Sequence, residues 1–240
     1  MNNKVVVSSL LLAVGLVISA GIIAKTLLDI RSLDNTISVS GSAKIEVTSD
    51  SAIWRGSFSR NAFQDQLKEG YAKMKTDEQI VNQFLSDQGI KPENIEISPV
   101  FVNEVYKYNT NYDGPTEYNL IQNVTVKSDT PQSMESLAKD AEVLAQKGVI
   151  FSPNAIEYYY SGLPELRVSL LPDAIKDAKA RAEAIASSSG QKVGSVKSVN
   201  MGVVQVMSKG SIDISDYGMY DTSSIDKEVM ITVKAIFGLK

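Results

Sequence analysis

The sequence predicts an α+β fold, a mostly antiparallel sheet with helices on one face, preceded by one N-terminal transmembrane helix. Three observations predict it. The chain begins with an uncharged apolar segment of membrane-spanning length. The remainder alternates strand-like runs of period two with helix-like runs of period 3.6. A helix followed by two strands occurs over residues 64–127 and again over 164–237, so we expect two helix-plus-hairpin units.

The composition excludes most catalytic chemistry. The 240 residues include no histidine and no cysteine, which rules out Ser-His-Asp triads, thiolate nucleophiles and the usual zinc ligands. Asp213, Asp216 and Asp221 share one loop but lack the alternating ligands and closing Glu of a calcium loop. We therefore expect no enzymatic activity, no cofactor and no metal. The net charge of −4 argues against nucleic acid as a partner.

The first segment predicts a membrane anchor. Val5 to Ala24 is a run of 20 residues without a charge, the length needed to cross a bilayer. Secretory signal peptides have apolar regions of roughly 7–15 residues that end in a small-x-small cleavage site. The best candidate site is the weak Ser19-Ala20-Gly21, which favours an uncleaved anchor over cleavage and secretion. The lipid bilayer is thus the first expected partner, through Val5 to Ala24.

Charge placement predicts the orientation of this anchor. Lys4 and the α-amino group precede the span, so we expect a cytoplasmic stub, a single pass through the cell membrane and an extracytoplasmic C-terminal domain. Lys25 and Arg31 lie on the far side and weaken that inference. The alternative location is secretion after signal-peptide cleavage.

Two domains follow from this assignment. Residues 1–31 hold the stub, the transmembrane anchor and a juxtamembrane segment, and residues 32–240 form the exported domain. Without residues 1–24 the chain keeps 23 basic and 28 acidic side chains, so it does not favour contact with an anionic membrane surface. No linker rich in Pro, Gly or Ser divides the exported part, which leaves open one domain or two interlocked halves.

The first helix-plus-hairpin unit follows two strands. Alternating apolar residues predict strands over Thr36–Val47 and Ser51–Ser59, and Gly41 inside the first indicates a bulge or a close backbone approach. Helical spacing then predicts a helix from Gln64 to Gln88, with Gly89 at its end. Two further strands, Ile95–Tyr108 and Glu117–Lys127, are predicted to form a hairpin around the loop 109–115.

The second unit begins after another helix and a short strand. Thr130 is predicted to cap a helix that runs to Gly148, and Ala155–Ser161 reads as a strand. A long helix follows, broken near Pro172 and ending at Gly190. Its apolar face is predicted to pack in the core through Ala174, Ala178, Ala182, Ile185 and Ala186. The alternative is that this face forms an oligomer contact. The last strand pair is Val196–Met207 with Lys227–Phe237.

Tyrosines are the candidate binding residues. Tyrosine combines a flat apolar ring with a polar tip, which suits protein interfaces and stacking on sugars. The alternative is cross-strand packing in the fold. The candidates flank the first hairpin loop, share one face of the short strand, or lie in the last loop. They are Tyr106, Tyr108, Tyr112, Tyr118, Tyr158, Tyr160, Tyr217 and Tyr220.

Three segments in order carry a family resemblance. They are ISVSGSAKIEV with the following Asp50 and Ala52, GIKPENIEI followed by YKY and NVTV, and AIKDAKARAEAIASSSGQKVGSVKSV. Together they cover nearly all of residues 36–237 and resemble the SIMPL-domain family. The resemblance implies an exported bacterial envelope protein. That family includes periplasmic proteins linked to oxidative-stress defence and an outer-membrane immunogen that assembles into a ring. It implies no catalytic residues, and the predicted anchor departs from the usual exported members.

The sequence thus leaves three hypotheses for function. The first is a membrane-anchored envelope protein that acts by binding or self-assembly, as a homo-oligomer or with an envelope protein partner. The second is a cell-wall polysaccharide-binding module that uses the tyrosine-rich loops. The third, a carboxylate-based hydrolase, needs two acidic side chains that converge in a cleft.

Overall fold

The protein is an α+β fold with mostly antiparallel sheets, as predicted. A computed structural model describes residues 3–33, 35–106 and 114–240, with side chains at residues 10–27, 35–106 and 114–240. The helices are α1 (Asn3–Leu33), α2 (Leu67–Asp87), α3 (Pro131–Asp140), α4 (Glu142–Gln146), α5 (Leu163–Ser169) and α6 (Leu171–Ser188). The strands are β1 (Thr36–Thr48), β2 (Ser51–Phe63), β3 (Ile95–Ile97), β4 (Phe101–Glu104), β5 (Glu117–Ser128), β6 (Ile150–Pro153), β7 (Glu157–Tyr159), β8 (Val193–Ser208), β9 (Met219–Tyr220) and β10 (Asp226–Leu239).

Helix α1 has the properties of a membrane span. Its segment Leu10–Leu27 is long and apolar enough to cross a bilayer, and none of the side chains in that segment is buried. The Ser19 hydroxyl donates to the Gly15 carbonyl at 2.8 Å, so the helix satisfies this polar group internally. The helix continues to Leu33, and β1 begins at Thr36. An apolar N-terminal helix of this kind fits a signal anchor or a signal peptide.

The chain divides into two compact units. Unit 1 contains Met1–Lys44, Arg167–Val204 and Met230–Lys240. Unit 2 contains Ile45–Leu166 and Gln205–Val229. Strands β1, β8 and β10 each contribute residues to both units, and the four-stranded sheet has the order β1-β10-β8-β9.

Unit 2 is built on a six-stranded sheet of order β3-β5-β2-β6, with β4 also paired to β5 and β7 to β2. Strands β2 and β5 pair along their whole length, from Ala52↔Ser128 to Phe63↔Glu117. Because side chains alternate along a strand, one face of this pair is apolar and the other is partly exposed. Helices α2, α3 and α4 supply the core of that unit on the apolar face. The largest apolar side chains that are fully buried there are Trp54, Phe58, Met74, Leu85, Leu120, Met134 and Leu144.

Unit 1 depends on a close approach of helix α6 to strand β1. The buried residues of α6 are Ala174, Ala178, Ala182 and Ala186, four alanines on one face. A Cβ at Gly41 would lie 2.7 Å from the Ala178 Cα and closer still to the Ala174 carbonyl oxygen, so only glycine fits there. The Asp177 carboxylate accepts a hydrogen bond from the Ser42 N–H at 2.8 Å. The short distances at Gly41 confirm the close backbone approach that was predicted there.

The prediction that Ile185 belongs to the apolar face of α6 was wrong. Ile185 is exposed, whereas Ala182 and Ala186 are buried. In an α-helix each residue turns by about 100°, so Ile185 lies beside the row of alanines rather than within it. The exposed side of α6 carries two ion pairs, with Arg181 2.9 Å from Asp177 and Lys179 3.7 Å from Glu183.

Helix ends were predicted more accurately than strand lengths. Gly89, Gly148 and Gly190 have φ values of 79°, 80° and 73°, the left-handed conformation that ends a helix. The strand predicted over Ile95–Tyr108 is instead divided into β3 and β4 around Pro99, which has no N–H to donate.

Two other local predictions need correction. Thr130 makes no side-chain capping bond to the helix that follows it, because its hydroxyl is paired with the Ser133 hydroxyl at 3.1 Å. The strand predicted over Ala155–Ser161 is only β7, and β6 before it was missed. Most of the predicted hairpin loop, residues 109–113, lies outside the described residues.

We predict that Gly41→Ala lowers the free energy of unfolding by about 3 kcal/mol, because the new methyl group meets backbone atoms of α6 that cannot rotate away. Chemical denaturation of the full chain in detergent measures the change. Ser40→Ala, at the exposed neighbouring position of β1, is the matched control and should leave stability nearly unchanged. Equal effects of the two substitutions would contradict the close contact.

Candidate functional site

A cluster of aromatic and charged side chains lies on the partly exposed face of the unit 2 sheet. We call Tyr159, Tyr220, Arg55 and Glu157 the tyrosine cluster. Strand β7 pairs with β2 so that Tyr159 lies opposite Ser51 and Glu157 opposite Ile53. Arg55 is two residues further along β2, on the same face, and its guanidinium lies 2.5 Å from the Glu157 carboxylate. The Tyr159 hydroxyl donates to the same carboxylate at 2.6 Å.

These contacts hold the charged groups of the cluster in fixed protonation states. Hydrogen bonds from Tyr159 and Arg55 lower the pKa of Glu157 below its ordinary value. The hydrogen bond to Glu157 raises the pKa of Tyr159, so the phenol keeps its proton. Glu157 is therefore an acceptor shared by two donors and is poorly suited to act as a general base.

Tyr220 joins this cluster from strand β9. Its ring centroid lies 5.9 Å from that of Tyr159, and its hydroxyl accepts a hydrogen bond from the Tyr160 N–H at 2.9 Å. The register that places it there is the parallel pairing of β9 with β8, in which Tyr220 lies opposite Val206.

A fully buried lysine supports the ring of Tyr220 and the turn after it. The Lys227 Nζ lies 5.7 Å from the centroid of that ring and donates to the carbonyls of Asp221 and Ser224 at 2.6 and 2.7 Å. Burial lowers the pKa of Lys227, although the Asp221 carboxylate at 3.7 Å acts in the opposite direction. A buried ammonium with this many acceptors stabilises a turn and is not free to act as a nucleophile.

Asp221 organises the same turn. Its carboxylate accepts hydrogen bonds from the backbone N–H and the hydroxyl of both Ser223 and Ser224. Burial alone would raise the pKa of Asp221, but these hydrogen bonds and the charge of Lys227 outweigh it and lower the pKa from 3.8 to about 2. Among the described residues, no three acidic side chains converge on a point that could hold a metal ion.

The sequence of this domain matches a known protein family. The model of the SIMPL family, described as a protein of unknown function (DUF541), matches residues 37–237. The chain belongs to the SIMPL family. The match covers both units and confirms the resemblance read from the three sequence segments. SIMPL is an exported family, in agreement with the apolar N-terminal helix. No curated protein matches the chain.

The SIMPL domain also exposes apolar side chains in the loop that precedes Tyr220 in the chain. We call residues 209–218 the projecting loop. The buried Gln205 amide donates to the Ser215 carbonyl at 2.6 Å and fixes the base of this loop. Ile212, Ile214 and Tyr217 extend from it into solvent, and Tyr217 is 97% exposed. Large apolar side chains held outward in this way are typical of interaction surfaces.

The predicted tyrosines do not form one site. Tyr106 is 80% exposed, at the end of the edge segment that contains β4. Tyr118 packs against the core of unit 2 and is only partly exposed. Tyr160 is partly buried beside Gly162. Tyr108 and Tyr112 lie outside the described residues.

The choice of tyrosines on the short strand β7 requires a correction. Tyr158 is buried in the core, opposite Ala52 on β2, so it cannot contribute to a binding surface. Tyr159, between the two selected tyrosines Tyr158 and Tyr160, lies on the opposite face and is the one in the tyrosine cluster. Arg55 and Glu157 were missed as well. Alternation separates Tyr158 from Tyr159, but only the pairing of β7 with β2 shows which face is covered.

We predict that acid weakens the fold through Asp221. Its folded-state pKa of about 2 lies below the ordinary 3.8, so its stabilising contribution is complete above pH 3.8 and is lost as the pH falls through 2. Asp221→Asn should reduce the slope of unfolding free energy against pH within that window. Urea titrations of the full chain between pH 2 and 5 measure the slope. Asp216→Asn, at an exposed position of the projecting loop, is the control substitution, and an equal change of slope in both variants would contradict the role of Asp221.

Proposed function

We propose that this SIMPL protein is a single-pass membrane protein whose exported domain acts in the cell envelope by binding or self-assembly, without catalysis. The observation that carries the proposal is α1. The apolar segment Leu10–Leu27 buries none of its side chains against the protein, and a bilayer is the environment that would cover them. The helix ends at Leu33, close to the start of the domain at Thr36, so the anchor would hold the domain near the membrane.

The chemistry of the surface supports binding over catalysis. The Glu157 carboxylate is shared between Arg55 and Tyr159, and Lys227 is buried among carbonyl groups. Proton transfer needs a group that is free to change its protonation state. By the family resemblance, the envelope role would extend to oxidative-stress defence.

Single cysteines test the anchor, because the wild-type chain contains none. We expect Tyr217→Cys, in the projecting loop, to react with a membrane-impermeant maleimide in intact cells, and Asn3→Cys to react only after the membrane is permeabilised. The full-length mass should remain in the membrane fraction after a carbonate wash. Release of a shortened chain would support signal-peptide cleavage, and labelling of Asn3→Cys in intact cells would reverse the orientation.

Binding of cell-wall polysaccharide is the second candidate, and the exposure of Tyr106 and Tyr217 favours it. At 80% and 97% exposed, these two rings have their faces available for stacking on sugars. Tyr112, which its sequence position also makes a candidate for this role, lies outside the described residues.

Under this second function we predict that Tyr106→Ala and Tyr217→Ala each weaken binding to purified wall, roughly two- to tenfold, because each removes one stacking ring. Co-sedimentation of the full chain in nanodiscs with wall fragments measures the affinity. Tyr71→Ala removes an exposed tyrosine of α2 and is the matched control. No binding by the wild-type chain, or equal loss in all three variants, would rule out this function.

A further inference from the structure

Strand β8 has a long edge without a strand partner. In the sheet order β1-β10-β8-β9, strand β9 pairs with β8 only at Gln205 and Val206. Within the described residues, nothing pairs with the same edge between residues 193 and 204. Along that edge every second residue directs its N–H and C=O groups away from β10. The edge is therefore a row of available backbone donors and acceptors.

The same part of β8 carries apolar side chains that the core of unit 1 does not cover. Val199, Met201 and Val203 are spaced by two, so they share one face, and they are 37%, 51% and 42% exposed. No residue of β8 between 193 and 204 is buried. On β10, by contrast, Ile231, Val233 and Ala235 are buried. The core of unit 1 thus ends at β10.

Strand β8 also lacks the features that usually protect a sheet edge. Residues 193–204 contain no proline and one charged residue, Lys197. The outer strands of the unit 2 sheet differ, because β6 has four residues and ends in Pro153, and β3 has three residues. A long, apolar and unprotected edge is the kind of strand that pairs with another chain.

We propose that this edge pairs with the same edge of a second copy of the chain, antiparallel and centred near Val199. In this register residues 194–204 pair, and the pairing stops at Gln205, where β9 already occupies the edge of β8. Val199 then meets its own copy on the apolar face. Lys197 lies opposite Met201, so its aliphatic stem covers the thioether and the two lysines are apart. About ten backbone hydrogen bonds would form, as many as in a typical interface.

A second copy fits this edge better than an unrelated strand. The pairing is isologous, since each copy offers the same edge and the same apolar row. The inference rests on the proposed function, because copies anchored through α1 in one bilayer meet at a high effective concentration. The two four-stranded sheets would then join into one continuous sheet across the axis.

Disulfide trapping tests the register, using the full chain in native membranes. Opposing residues of an antiparallel pair are close enough for a disulfide, so Val199→Cys should form a covalent dimer under mild oxidation. Ile185→Cys, exposed on α6, and Ile150→Cys, exposed on the β6 edge, are matched controls and should stay monomeric. No dimer at residue 199, equal dimer in the controls, or an adduct with a different protein would overturn the proposal.

A charge substitution tests the same edge without cysteine chemistry. Val199→Lys places two ammonium groups face to face at the axis and should weaken self-association in nanodiscs or vesicles at least roughly tenfold. Ile150→Lys should not change it. If subunit counting shows assembly that Val199→Lys leaves intact, the edge proposal fails while the proposed function stands. A chain that is monomeric in membranes and captures no partner would overturn both.

Discussion

The contact between α6 and β1 at Gly41 determines which surfaces of unit 1 are covered. Four alanines and one glycine bring the helix backbone against the strand backbone, so the helix axis is fixed over the β1 side of the sheet. A helix is about 10 Å wide and strands are about 4.8 Å apart, so one helix covers about two strands. The order β1-β10-β8 makes β8 the third strand. Its apolar row is exposed because the helix cannot reach it.

In unit 2, by contrast, several helices cover the sheet. Helices α2, α3 and α4 share the coverage of one sheet face, and the strands at its edges are short. Its buried Asp77 carboxylate is paired with an arginine. Asp77 accepts two hydrogen bonds from Arg60, at 2.6 and 2.8 Å, and the same guanidinium donates to the Gly148 carbonyl. Because an unpaired buried charge costs several kcal/mol, each of these bonds helps to fix one arrangement of helix and sheet.

The parts of the fold that local signals determine could be predicted from the sequence. The apolar length of α1, the glycines at helix ends and the tight position at Gly41 each depend on a few neighbouring residues. The family match over residues 37–237 agrees with the resemblance that the three sequence segments carry. Pro99 is the local signal that was overlooked, and it divides the predicted strand in two.

The tyrosine cluster could not be predicted, because it depends on strand register. Arg55 and Glu157 are 102 residues apart in the chain and meet only through the pairing of β7 with β2. The burial of Lys227 was even harder to predict. Lysine is among the residues least often buried, and nothing in its sequence neighbourhood shows that carbonyls of the preceding turn surround it. The free edge of β8 likewise follows from sheet order, which no local pattern contains.

The proposed strand pairing needs no reactive side chain. The chain contains no histidine or cysteine, and its Glu157 carboxylate is shared between two donors. Backbone N–H and C=O groups need no particular side chain, and an edge strand binds mainly through them. In solution such an edge must overcome the loss of translational and rotational freedom on association. Two copies that are anchored in one bilayer, as we propose, would already have lost part of that freedom, so an interface of about ten hydrogen bonds would be enough. In this proposal the anchor contributes to binding as well as to localisation.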